Sequence, residues 1–267
     1  MPDGNPPVRP VTFRGGGFKP KPVRAAGLVA FALILAFWEI GSRTGWIPSL
    51  FMPAPSEAWG AIEDLVETGN LWVHLEASLY RLVLGWGFGT VLGLVVGVII
   101  GLFSIARAGL VPVVSAIFPI PKIALLPLFI IWFGIGEGSK VATILFGVFF
   151  PTVIGTFGGV DNVDRTLIRM AQSFGLSWFS IVRKIILPGA LPAILSSFRI
   201  SASIAIILLV AAEMIGAEYG VGAYVLSAGN LMATDQLIAG VAILSVIGLI
   251  VATLIGKAER YFLRWRS

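Results

Sequence analysis

Cysteine is absent from the 267 residues, histidine occurs once, and Asp, Glu, Lys and Arg make up only 12% of the chain. The first absence excludes disulfides and thiolate metal sites. A lone His74, in a polar stretch beside Trp72, gives no metal-ligand spacing and is expected at the surface. Recognisable reactive constellations are missing too. There is no nucleophile elbow and no pair of catalytic carboxylates, and GIGEGSK (134–140) lacks the Gly-Lys-Ser/Thr order of a phosphate loop. The scarcity of charge says most, because a soluble domain of this length needs far more of it to cover its surface. With 57% hydrophobic residues and a mean hydropathy of +0.94, the chain is suited to face lipid.

A transmembrane helix needs about 20 mostly apolar residues. Six stretches meet or approach that requirement: 25–41, 79–103, 109–133, 140–157, 191–215 and 237–256. The fold class is therefore all-α, a polytopic membrane helix bundle of about six transmembrane helices. The first stretch has a basic flank but ends FWEIGSRTGW without a small-x-small cleavage signal, so it is expected to be a retained helix. Pro119, Pro121 and Pro127 must interrupt the third, since each lacks a backbone donor. Residues 1–24, rich in Pro, Gly and basic residues, have the composition of a disordered tail, and 257–267 form a second basic tail. In the acidic stretch between the first two spans, Trp59, Ile62, Leu65 and Val66 recur at helical spacing, as in a helix lying on the outer surface.

Basic residues set the orientation. With the N-terminus inside, the cytoplasmic segments hold fourteen: Arg9, Arg14, Lys19, Lys21, Arg24, Arg107, Arg165, Arg169, Arg183, Lys184, Lys257, Arg260, Arg264 and Arg266. The opposite side holds three, Arg43, Arg81 and Lys140. Both termini are expected in the cytoplasm. Placement at helix ends also argues against nucleic acid as the partner of this net charge of +5.

Within the apolar stretches, Gly85, Gly89, Gly93, Gly97 and Gly101 repeat every four residues, a groove for close helix packing or a sliding surface. Ionisable residues inside a membrane are costly and mark candidate functional positions. Lys122 lies in the Pro-broken third span, where it either lines an anion path or pairs with carbonyls. Arg199 either snorkels, pairs with a carboxylate or lines the inner pathway. Glu213, toward the outer end of the fifth span, either belongs to an outer gate or bonds a neighbouring helix end. Glu39 is expected to hydrogen-bond at the interface.

The polar stretch 161–184 is too polar to span and needs its own explanation. Leu167, Ile168, Ala171 and Phe174 suggest one short amphipathic helix. Gly175 permits the left-handed turn that ends it. Ser177 is placed to cap a second helix running through Lys184, and Pro188 stands where a further helix begins. A compact helix–turn–helix facing the cytoplasm suits docking of another protein.

At this point the residues resemble a known family. Permeases of ATP-binding-cassette importers carry a cytoplasmic motif of the form E-A-A-x3-G-x9-I-x-L-P, and Ala171, Gly175, Ile185, Leu187 and Pro188 fall at the matching spacings. Arg169 and Met170 stand where the motif has Glu and Ala. The stretches MPAPSEAW, PIPKIALLPLFIIWFGIGEGSK, VAAEMIGAEYGVG and SAGNLMATD are similar to the taurine/aliphatic-sulfonate/nitrate branch, over roughly residues 38–256. The resemblance implies a core permease domain at 79–256, preceded by a first helix and outer loop at 25–78. It implies coupling helices, with Arg169, Met170, Ala171, Ser173, Phe174, Gly175, Leu176 and Ser177 docking a separate ATPase. The partners implied are an ATPase dimer, a second permease copy, an external solute-binding protein and lipid. No cofactor is expected in this chain, with ATP and magnesium in the partner ATPase, and so no enzyme activity of its own. The location implied is a bacterial inner membrane. Sulfonates such as taurine lead as solute, with nitrate-like anions, aromatic acids and vitamin precursors open. A stand-alone secondary transporter or channel is the alternative, disfavoured by the docking motif and by the lack of paired acids at membrane centre.

Overall fold

The computed structural model describes residues 24–266. Apart from Arg24, the basic tail expected at 1–24 lies outside the described residues. In chain order the helices are α1 Arg24–Arg43, α2 Pro55–Glu67, α3 Asn70–Leu102, α4 Ser104–Ile117, α5 Leu126–Phe133 and α6 Glu137–Asp161. They continue with α7 Arg165–Ser173, α8 Trp178–Ile181, α9 Leu187–Met214, α10 Val221–Asn230 and α11 Thr234–Phe262. Five runs are long and apolar enough to cross a membrane, and α4 with the segment Lys122–Phe133 makes a sixth, bent by 89°. The second span begins at Asn70, nine residues before the expected start, because Trp72, Val73 and Leu75 offset the polar residues around them.

The core is built on α6. Each ridge glycine of α3 faces it: an added Cβ at Gly85, Gly93, Gly97 and Gly101 would lie 2.5–2.8 Å from Ile144, Thr152, Thr156 and Val160, and Gly89 faces Val148. The partners also recur every four residues, at a constant offset of 59, so α3 and α6 run parallel. Five β-branched knobs from one row fill a groove that any side chain would close. On its other side α6 supplies the grooves. Gly147, Gly155 and Gly159 receive Leu208, Ser197 and Ala193 of the antiparallel α9. The glycine ridge is thus buried packing within one chain.

The prolines break the third span as expected. Pro119 and Pro121 end α4, a 3₁₀ turn covers Lys122–Leu125, and Pro127 lies in the first turn of α5. In α2, Glu57 reaches back to accept from the Ala54 amide at 2.9 Å. That helix buries Ala58, Ala61 and Leu65 and exposes Trp59 and Val66, so its packed face differs from the Trp59–Ile62–Leu65–Val66 face expected. Small residues let it lie close against α11. The second docking helix differs too. No new helix starts at Pro188, because Trp178–Met214 is one unbroken run. A π turn at Val182–Ile186, with the Leu187 amide bonded to the Val182 carbonyl, widens the helix just before the proline ring.

Gly97→Leu must collide with Thr156 and the Val153 carbonyl, whereas a methyl at Gly109 meets nothing within 4 Å. Gly97→Leu is expected to cost at least about 1–3 kcal/mol, read as a lower unfolding midpoint in detergent. Gly109→Ala should stay within about 0.5 kcal/mol of the parent.

Candidate functional site

The loop between α6 and α9 is held by its ends. Asp164 accepts from the Thr166 amide at 2.7 Å and starts α7. Gly175, at φ +71°, ends it: the Leu176 amide reaches the Ala171 carbonyl at 3.1 Å and the Gly175 amide the Gln172 carbonyl at 2.9 Å. This is the paired closure of a Schellman turn, and its left-handed residue is the reason for glycine. Ser177 then accepts from the Ser180 amide at 3.4 Å to open α8. Ala171 is buried, and Ile168 and Ile185 pack on Val160, Val163, Ala190 and Ile194. Leu167, Met170, Phe174, Trp178 and Phe179 are left exposed, together with Arg169, Ser173, Leu176 and Ser177. Leu187 is exposed and Pro188 half-buried at the far end of the motif. Behind the loop, Arg107 of α4 grips both oxygens of Asp161 at 2.7 and 2.8 Å, and Arg165 adds a bond at 3.0 Å.

The opposite end of the bundle carries a buried ionic network that sequence reasoning missed. Arg81, with its side chain 3% exposed, donates to both oxygens of Glu137 at 2.6 Å, and to Glu213 and the Tyr219 carbonyl at 2.7 Å. Glu213 is fully buried and also accepts from Ser78 at 2.8 Å and from the Gly222 amide at 2.8 Å. Ser78 accepts from the Val221 amide, so Ser78 and Glu213 satisfy the first donors of α10 from outside that helix. His74 is half-buried, not at the surface as expected, because its Nδ1 accepts from the Gly220 amide at 3.1 Å. Lys140 is buried on the carbonyls of Ile135 and Gly136. The sequence reading counts Arg81 only as one of three basic residues on the outer side. The available signal was the ladder itself, since Arg81 precedes Gly85 by four and stands 59 residues before Lys140. Glu213 therefore bonds neighbouring helix ends, one of the two roles open for it.

Lys122 points its ammonium at the carbonyls of Ile117, Phe118 and Ile120, at 3.0, 2.7 and 2.6 Å. The Ile117 carbonyl is the one that Pro121, lacking an amide hydrogen, leaves without its helical donor. The ammonium also lies 5.1 Å from the Phe150 ring centre on α6. All three of its protons have protein acceptors, so the lysine stitches the break. Arg199 pairs with Glu259 of α11 and keeps its side chain 54% exposed. Glu39 bonds Arg43 and Ser56, tying α1 to the start of α2.

A bundle of helices long and apolar enough to cross a membrane, with an exposed apolar helical turn at one end, is the architecture of a polytopic membrane protein. The chain belongs to the family of binding-protein-dependent transport system inner membrane components, whose pattern matches residues 89–264. It is 36% identical to the aliphatic sulfonates transport permease SsuC named in Bacillus subtilis, over 90% of this chain and 87% of that one. It is 36% identical to the taurine transport system permease protein TauC of Escherichia coli, over 88% of each chain. A chain of the MetNI methionine ABC transporter in an inward-facing conformation has the same fold, with a TM-score of 0.62 at 21% identity, covering 72% of this chain and 95% of that one. The protein is thus the permease component of an ATP-binding-cassette importer, a multi-pass inner-membrane protein that works with an ATPase and a substrate-binding protein.

Arg81→Gln leaves Glu213 buried without its cation and is expected to cost about 3–5 kcal/mol. The Arg81→Gln/Glu213→Gln double variant should recover part of that loss, seen as a higher unfolding midpoint than the single change. Lys122→Met takes the ammonium from three carbonyls, of which Ile117 keeps the Ile120 amide, and is expected to cost about 1–3 kcal/mol, while uptake per folded complex persists. Unchanged thermal stability with lost uptake would return Lys122 to the solute path.

Proposed function

We propose that this permease imports a small sulfonate, of the taurine or aliphatic-sulfonate kind, and that its α7–α8 loop is where the ATPase docks. The substrate class is supported by the names of the relatives at 34–36% identity. The docking assignment is carried by one observation: Leu167, Met170, Phe174, Trp178 and Phe179 form an exposed apolar face on a turn that is itself rigidly capped. A rigid apolar face that the described residues leave largely uncovered suits a partner's groove. The Gly175–Pro188 spacing supports the same partner. The sequence count of fourteen basic residues in the segments assigned inside, against three outside, supports a cytoplasmic loop and cytoplasmic termini. Two permease copies would then face two ATPases, with the solute-binding protein at the Arg81 end. ATP and magnesium belong to the ATPase in this scheme, and the permease does no chemistry of its own.

The test is Gly175→Asp. Its Cβ would meet open space, so the local cost is the left-handed backbone, about 1–2 kcal/mol, plus a charge on the docking face. The variant is expected to reach the membrane in normal amount, to lose co-purification with the ATPase and to abolish sulfonate uptake in proteoliposomes. Normal association and uptake would sink the docking assignment, and uptake of an uncharged solute alone would sink the substrate class.

A further inference from the structure

Two layers of charge mark the ends of the bundle. Lys140, beside the Arg81 network, and Asp161, gripped by Arg107, stand 21 residues apart on α6. At 1.5 Å per residue this is about 31 Å, the thickness of a hydrocarbon core. Arg199 stands 14 residues before Glu213 on α9, so it lies about 21 Å from the outer layer and about 10 Å inside the inner one. Its side chain reaches inward to Glu259, two residues past Lys257, so the guanidinium sits nearer the inner layer than its Cα does, and its half-uncovered surface is tolerated there against protein or water. The wall beside it is open. Arg199 and its partner Glu259 floor a cleft of about 980 Å³ between the inner halves of α9 and α11. Thr253 and Gly256 form its side, and Arg260 and Arg264 its rim. Gly256 faces Arg199, and a Cβ there would lie 3.9 Å from the guanidinium, an ordinary contact.

We propose that this cleft is the water-filled inner vestibule of the transport path, and that Arg199, oriented by Glu259, is the charge that selects an anionic solute there. The proposal rests on the permease function and deepens it by naming where a sulfonate passes. Glu259 removes one conformational choice from Arg199 without closing the cleft over it. Arg260, which also lines the cleft, adds to the local attraction for an anion. Lys122 and Glu213 are fully engaged by protein groups, so neither offers a competing charge. The apolar groove between α3 and α11, lined by Leu82, Trp86 and Leu254, carries no polar atom for such a role.

The cysteine-free sequence makes the test direct. Thr253→Cys is prepared in the assembled permease–ATPase complex in inside-out vesicles and treated with thiol-reactive methanethiosulfonates. One carries an ethylsulfonate, one a trimethylammonium group, and the third is small and neutral. Rates are normalised to a free thiol in solution. The sulfonate reagent is expected to react about 10-fold faster than the cationic one, and ethanesulfonate should slow it. Arg199→Gln should erase the preference and Arg199→Lys should keep it. Leu254→Cys, in the apolar groove, should react only with the neutral reagent. Labelling of Thr253→Cys by the neutral reagent alone would mean a lipid-facing wall and overturn the proposal, as would a preference indifferent to Arg199. Leu263→Cys, also in the cleft, serves if Thr253→Cys does not fold. Co-purified ATPase is measured on the same vesicles. An inaccessible cleft in an assembled complex defeats the vestibule alone, and an accessible, anion-preferring cleft without ATPase defeats the docking assignment alone.

Discussion

The close approach of α3 to α6 is the contact on which the remaining geometry depends. Five glycines spaced by four remove side chains from one line of α3, and Ile144, Val148, Thr152, Thr156 and Val160 fill that line. Lipid tails are as apolar as these residues, so burial against water supplies little force between the helices. Fit at short range has to supply it. Because both rows repeat every four residues, the register is fixed along the whole seam. A shift by one residue would bring Cβ atoms against backbone carbonyls. That register brings Arg81 to the level of Lys140 and Glu137, and hence within reach of Glu213.

Polar groups follow from the same solvent. With no water available in the hydrocarbon region, each buried donor or acceptor needs a partner from the protein. Thr143 and Thr152 bond back to their own helix, Lys140 and Lys122 bond freed carbonyls, and Ser78 and Glu213 satisfy the start of α10. The charged groups gather at two levels about 30 Å apart. Arg199 departs from that arrangement, and it is also the one of the three intramembrane candidates that keeps an uncovered surface.

Much of this was legible in the residues. Gly175 takes the left-handed conformation its motif position required, Ser177 caps the next helix, and the three prolines bend the third span. Those features are local, so a short window contains their cause. The ionic network was not legible by the same means. Its members come from positions 74, 78, 81, 137, 213 and 220–222, and no window joins them. The polar residues around His74 mask the start of the helix, so His74 is expected at the surface, and Arg81, two residues into the expected span, counts only as an outer-side charge. The continuous helix through Pro188 was missed for a related reason. Proline rules describe a regular α-helix, and a π turn ahead of the ring relaxes the clash those rules presume.

That continuous helix has a mechanical meaning. Trp178–Met214 is 37 residues long, about 55 Å as a straight rod. One end forms part of the exposed apolar turn, and Glu213 at the other holds Arg81 and the start of α10. A rod of this kind works as a lever, so tilting the docking end displaces the far side of the membrane without any chain of small rearrangements between. Its compliant stretch runs from the widened turn at Val182–Ile186 to Pro192, close to the loop. Nearly the whole length beyond that stretch is stiff, and travel applied there reaches Glu213 almost undiminished.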